Sequence, residues 1–185
     1  TKSDLVLRDL ELIKTFPDAR VSWSVNTLDE EFRADMDQAV PIHRRLAAME
    51  AFYRAGVRTT CFVSPIFPGV TDVEAIIQRV KKQCNLIWLE NLNLRGGYKG
   101  VILDYIQSTR PHLLPLYREI YCSRNSRYWE LLDSRLKAYA AAEGLDYVTN
   151  DDSMKRPLDA PPVIVNYFYH ERIRKSAMRG GNGHA

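Results

Sequence analysis

Apolar positions along the chain recur with two periods. From Asp4 to Phe16, residues Val6, Leu10 and Ile13, flanked by Leu5, Leu12 and Phe16, form the stripe of an amphipathic helix. Ser3 is placed to cap it and Phe16-Pro17-Asp18 to stop it. Val21 to Val25 then alternates with period two, the mark of a strand whose two faces meet different surroundings. Val21, Trp23 and Val25 suit a face packed on helices; Ser22 and Ser24 fall on the other, where small polar groups suit a polar ligand. Thr27 with Glu30 predicts a short helix through Met36. Pro41 suits the first turn of the next, whose buried face is Ile42, Leu46, Met49 and Tyr53 and whose stop is Gly56. Thr59 to Val63 is β-branched and aromatic and predicts a buried strand, with Pro65 and Pro68 ending its pairing. Thr71 and Glu74 fit a capping box ahead of Val73, Ile76, Ile77 and Val80, and Leu86 to Leu89 reads as the third strand.

Helix and strand therefore alternate up to Gly97, as in right-handed βαβ units and a parallel sheet. Beyond Gly97 the pattern is mainly helical: Tyr98 to Ile106, Pro111 to Tyr121, and Asn125 to Glu143 with Trp129, Leu132, Leu136 and Ala140 on one face. Leu145 to Val148 and Val163 to Tyr167 are strand candidates on either side of a loop rich in Asp and Pro. A closed eight-stranded barrel needs roughly 200 residues or more. The reading is thus α/β, with residues 1–97 as a sheet-forming core and 98–185 as a mainly helical extension with a last strand.

Composition narrows the partners. The chain has 185 residues and a formal net charge of +3, mildly basic. No apolar run approaches the roughly 18 residues of a membrane helix, so no membrane partner is expected. The first residues lead into an amphipathic helix rather than a signal peptide, and the chain does not open on Met. Cys61, Cys84 and Cys122 are odd in number and widely spaced, which argues against a disulfide framework and for a reducing cytoplasm; no metal ligands are expected among them. Arg172, Arg174, Lys175 and Arg179 make a basic tail. There is no G-x-G-x-x-G, P-loop, G-x-S-x-G or H-E-x-x-H.

What remains is a set of polar residues at strand ends, where parallel α/β proteins bind ligands. Lys2 offers an ammonium, Ser24 a hydroxyl, Ser64-Pro65-Ile66 an apolar ledge with backbone polar groups, and Asn91 and Asn93 amides that suit a base or ribose. Each also has a plain structural reading: a solvated lysine, a satisfied core serine, turn-forming asparagines.

Four segments come in order at fitting distances: Thr1-Lys2-Ser3 with its helix, Val21-Ser22-Trp23-Ser24, Ser64-Pro65-Ile66-Phe67-Pro68-Gly69-Val70-Thr71-Asp72, and Asn91-Leu92-Asn93-Leu94-Arg95. Together they resemble the later part of the radical SAM core in proteins similar to spore photoproduct lyase, over about the first 100 residues. The resemblance implies a partial parallel (β/α) barrel lacking its N-terminal strands, with this chain entering at the end of a third strand, followed by the helical C-terminal extension. It implies a lyase-type enzyme that cleaves S-adenosylmethionine reductively, using a 4Fe-4S cluster held by a C-x3-C-x2-C loop that this chain does not contain. Lys2 and Ser24 match residues that hold the methionyl carboxylate, Ser64-Pro65-Ile66 the adenine-binding loop, and Asn91 and Asn93 the strand that also touches the adenosyl group. No catalytic residue is assigned. DNA carrying a photolesion is the further partner implied, with Arg110, Arg118, Arg124, Arg127, Arg172 and Arg174 as phosphate contacts. A non-catalytic nucleoside- or SAM-binding module, or an unrelated phosphate-binding α/β domain, are the alternatives.

Overall fold

The computed structural model describes residues 1–168. The basic tail from Arg172 onward lies outside the described residues. Five parallel strands form one sheet: β1 Arg20–Ser24, β2 Arg58–Ile66, β3 Leu86–Asn91, β4 Tyr147–Val148 and β5 Val163–Asn166, in the order β1-β2-β3-β5-β4. The helices are α1 Leu10–Ile13, preceded by a 3₁₀ segment Leu5–Asp9, then α2 Glu30–Met36, α3 Ile42–Arg54, α4 Val73–Val80, α5 Tyr98–Thr109, α6 Leu114–Tyr121 and α7 Arg127–Ala142. None is long and apolar enough to cross a membrane, among the described residues.

The alternation in β1 has the cause expected of it. Trp23 and Val25, with Cys61, Val63, Ile87, Leu89 and Ile164, are fully buried against α3, α4 and α7 through Met49, Phe52, Ile76, Ile77, Val80, Leu132 and Leu136. Trp23 meets Phe52 edge-on, ring centres 5.3 Å apart, a geometry worth about 0.5–1.5 kcal/mol beyond the buried area. The sheet does not stop at Gly97. β5 pairs with β3, and α7 shares one core with α3 and α4, so the later part of the chain completes the same layer. A second cluster, Phe32, Phe67, Leu92, Leu94, Ile102, Ile106 and Tyr117, joins α2, α5 and α6 to the loops that follow β2 and β3.

The other sheet face carries Ser22, Ser24, Thr60, Phe62, Leu86, Trp88, Val163 and Val165, as the register places them. Its one apolar cluster among the described residues joins Leu86, Val163 and Val165 to Trp88 and Val148, all from strands. The segment between β4 and β5 must return to the start of a parallel strand, and it crosses the lower end of this face. Arg20 donates to Asp151 at 2.7 Å and Ser153 at 2.6 Å, Arg58 to the carbonyls of Ser153 at 2.8 Å and Arg156 at 2.6 Å, and Asn85 to Leu158 at 2.8 Å.

Local details depart from the sequence reading where tertiary bonds intervene. β2 runs on through Pro65 to Ile66, because the ladder shifts register between Val63 and Ile66; the N–H that Pro65 lacks falls where no rung is made. Asp72, not Thr71, caps α4, accepting from Ala75 at 3.0 Å. The Thr71 hydroxyl instead donates to the Asn26 carbonyl at 2.8 Å and accepts from Phe67 at 2.9 Å, stitching the β2 loop to the end of β1. Asp29 likewise caps α2, while Thr27 accepts from Asp29.

Candidate functional site

At the end of β1 the backbone of Thr1 docks alongside the strand. Its amino group donates to the Ser22 carbonyl at 2.8 Å, and its carbonyl accepts from the Ser24 amide at 3.0 Å. These two bonds make one rung of a parallel ladder. Lys2 follows directly, its Nζ 2.9 Å from Asp37 Oδ2. The other Asp37 oxygen accepts from Arg45 Nη2 at 2.8 Å, Arg45 Nη1 donates to the Ser24 carbonyl at 3.2 Å, and its Nε to Val40 at 2.8 Å. Lys2, Asp37, Arg45 and Ser24 are thus one connected network. Arg45 is wholly buried, tolerable because every edge of its guanidinium is used. Burial works against charge on Asp37, but hydrogen bonds from Lys2 and Arg45 outweigh it and hold its carboxyl below the usual range.

Ser24 is the register partner of Phe62, and Ser64 lies two residues further along β2. The Ser64 hydroxyl donates to Glu90 Oε2 at 2.6 Å, tying the ends of β2 and β3 together on the face away from α3 and α4. The Ser64–Pro65 peptide is cis. Ile66 belongs to the main core, so its side chain is not part of a ledge, while its carbonyl accepts from Leu92 at 3.1 Å. Gly69 N–H donates to the Tyr128 hydroxyl at 3.0 Å, which ties the loop after β2 to α7. Asn91 is buried at the end of β3 in register with Ile66; Asn93 lies beyond it, exposed, accepting from Arg95 Nε at 3.3 Å. The structure therefore joins Lys2 to Ser24 and Ser64 to Glu90 through named bonds, and sets Asn91 and Asn93 at the neighbouring strand end.

Several members of the site were not picked out from sequence. Arg45 sits in the buried stripe of α3, where a charge three residues after Ile42 is the only hint. Asp37 lies outside any element pattern. Glu90 directly follows the third strand in the sequence, as a strand-end carboxylate. The Thr60 hydroxyl is buried on the same face with no hydrogen-bond partner among the described residues.

Two features point elsewhere. A cavity of about 230 Å³ lies at the opposite end of the sheet, lined by Lys14, Phe16, Val57, Arg58 and Leu158, and there the Arg58 guanidinium is committed to carbonyls. No group of three or more His, Cys, Asp or Glu side chains among the described residues is arranged to hold a metal ion. Cys61 and Cys84 are buried and Cys122 is exposed. These residues do not fit an iron–sulfur cluster.

No protein-family model matches the chain, and no solved structure matches it. An uncharacterised protein of Methanocaldococcus jannaschii is 38% identical over 98 residues, which cover 52% of this chain and 38% of that one. Uncharacterised proteins of Mycobacterium tuberculosis and Mycobacterium bovis are 28% identical over 130 residues, 65% of this chain and 38% of theirs. The chain thus matches under two fifths of the length of each of these relatives.

Proposed function

We propose that this chain is the S-adenosylmethionine-binding half of a radical SAM enzyme of the spore photoproduct lyase type, working within a longer polypeptide that supplies the 4Fe-4S cluster. The observation that carries the reading is the joining of Lys2 to Ser24 at the end of β1, one strand away from Ser64 at the end of β2. The lengths of the relatives agree with a longer protein.

S-adenosylmethionine supplies a sulfonium–carbon bond that breaks on one-electron reduction. The chain's part is to hold and orient. Lys2 would give its ammonium to the methionyl carboxylate, with Asp37 and Arg45 keeping that ammonium in place. Ser24 adds a hydroxyl donor. Ser64 and the backbone through Pro65 and Ile66 present polar atoms to the adenine, and Asn91 and Asn93 stand at the ribose side. Charge-assisted hydrogen bonds of this kind contribute roughly 1.5–3 kcal/mol each. For a DNA substrate, Arg118, Arg124 and Arg127 are the exposed candidates among the described residues, while Arg172 and Arg174 lie outside them. Arg110 is turned inward, 5.0 Å above the Phe32 ring and bonded to Tyr105.

The test is the full-length protein, cluster reconstituted without oxygen, given S-adenosylmethionine and a reductant. Formation of 5′-deoxyadenosine and methionine is expected, with Lys2→Ala weakening cofactor binding about ten-fold or more. Absence of 5′-deoxyadenosine overturns the enzymatic reading; binding without cleavage leaves a nucleoside-binding module. DNA binding that does not weaken with salt removes the nucleic-acid substrate.

A further inference from the structure

Asp4 and Asp37, two carboxylates drawn well below the surface, each lie against an arginine: Arg44 at 2.6 Å and Arg45 at 2.8 Å. Glu90 is also half-buried, yet no Lys, Arg or His among the described residues pairs with it; its bonded partner is the neutral Ser64 hydroxyl at 2.6 Å. One hydroxyl donor satisfies part of a carboxylate and none of its charge. Besides Ser64, the residues next to Glu90 on its sheet face are aromatic, and the Trp88 indole packs on Tyr167 with ring centres 4.7 Å apart. Trp88 precedes it by two residues, and Phe62 stands across on β2 with ring centres 6.4 Å apart. Both rings are half-buried, on the face whose apolar cluster contains strand residues only. Aromatic faces carry negative potential, so ring and carboxylate add in the same sense.

We propose that Glu90, with Trp88 and Phe62, is a recognition site for an organic cation, an ammonium or amidinium-like group that pairs with the carboxylate and lies against the indole. The occupant follows from charge complementarity: a neutral ring would leave the carboxylate uncompensated, and an anion would be repelled. The site adjoins Ser64, so the inference rests on the reading of this face as the ligand face. The cation is either the charged end of S-adenosylmethionine itself or a group on a second substrate. Ser64 then acts as a positioning residue, holding one Glu90 oxygen so that the other is presented to the cation.

Benzamidine and benzamide are near-isosteric, one cationic and one neutral, and serve as probes on the full-length protein without reductant. Calorimetry should show benzamidine binding at least about ten-fold tighter than benzamide, an increment of about 1.4 kcal/mol. Glu90→Gln should abolish that preference while leaving benzamide binding in place, and Trp88→Leu should weaken both probes. Equal binding of the two probes by the unaltered protein overturns the proposal, as does a preference that survives Glu90→Gln. The comparison on the unaltered protein needs no variant, so a Glu90→Gln protein that fails to fold leaves the test intact. Saturating S-adenosylmethionine is then added. Displacement of benzamidine assigns the cation to the cofactor, and retention assigns it to a second substrate. If S-adenosylmethionine does not bind while benzamidine still prefers Glu90, the cofactor reading falls and the cation site stands.

Discussion

Removing Asp37 tests the network under the proposed carboxylate site. Asp37→Ala deletes the partner of a guanidinium whose side chain is 1% exposed, together with the Lys2 bond and the bond from the Ala39 amide at 3.1 Å. Arg45 keeps its bonds to the Val40 and Ser24 carbonyls but loses its one negative neighbour. Breaking a buried pair from one side costs about 3–5 kcal/mol, because the remaining charge stays desolvated. The exposed Lys2 bond adds under about 1 kcal/mol. Against a total stability of about 5–15 kcal/mol, this is a large loss. Urea unfolding followed by circular dichroism at neutral pH measures it. The companion variant Arg45→Met removes the charge and keeps much of the volume. In the Asp37→Ala background it should cost at least about 2 kcal/mol less than in the unaltered protein. The pH dependence has a definite sign. The Asp37 carboxyl is held below its usual range, so its contribution is complete above the unfolded value, near pH 4. It is lost as pH falls through the lower folded value. The gap between the unaltered protein and Asp37→Asn should therefore be constant from pH 7 to about 5 and close below about 4. An Asp37→Ala cost below about 1 kcal/mol, or additive effects in the cycle, would show that water screens the pair and would refute the argument.

Gly69 has φ of +71°, and a Cβ built there would stand 2.8 Å from Leu113 Cδ2. Gly69→Ala should destabilise the chain by about 1–2 kcal/mol, since the left-handed backbone is strained for alanine even if Leu113 moves aside. Adding Leu113→Ala should not recover it, and full recovery in denaturant titrations would mean the clash alone was responsible. The three thiols should separate by reactivity. Cys122 is exposed, whereas burial pushes the Cys84 thiol up to about 12 and raises Cys61 as well. One thiol per chain should react with Ellman's reagent in the native protein at pH 8 and three in denaturant; two or more fast native thiols would contradict the packing around Cys61 and Cys84.

The sheet was legible because its two faces differ. Helices cover one, so Val21, Trp23 and Val25 alternate with Ser22 and Ser24, and β1, β2 and β3 lie side by side in sequence order as their spacing implied. The end of β2 was not legible, because Pro65 is tolerated only where the register slips, and a slip leaves no mark in the sequence. The cap of α4 was misread for a related reason. Thr71 and Asp72 both have capping side chains, and the choice is made by the Asn26 carbonyl, 45 residues from Thr71, which takes the Thr71 hydroxyl. Lys2, Ser24 and Ser64 could be singled out as strand-end polar residues. That Lys2 reaches Ser24 through Asp37 and Arg45 could not, since a charge within a helical stripe reads as an interruption until its counter-ion is located.

The two ends of the sheet face opposite α3, α4 and α7 are unequal among the described residues. At the N-terminal end of the strands the β4–β5 crossover is fastened by Arg20, Arg58 and Asn85, its own Ser153 wholly buried against them. Each of those arginines spends both terminal nitrogens on that segment. At the C-terminal end the side chains are short or half-buried: Ser24, Phe62, Ser64, Trp88 and Glu90. The return to a parallel strand demands a crossover, so closing one end follows from β4 and β5 running in the same direction. Among the described residues the C-terminal end carries hydroxyls, an indole and a carboxylate, and the aliphatic Leu86, Val163 and Val165 lie deeper, almost wholly buried; the proposed ligand is placed at the polar end for that reason. Polar recognition at the mouth with apolar support behind it is the arrangement that orients a small polar molecule and keeps water from its buried end.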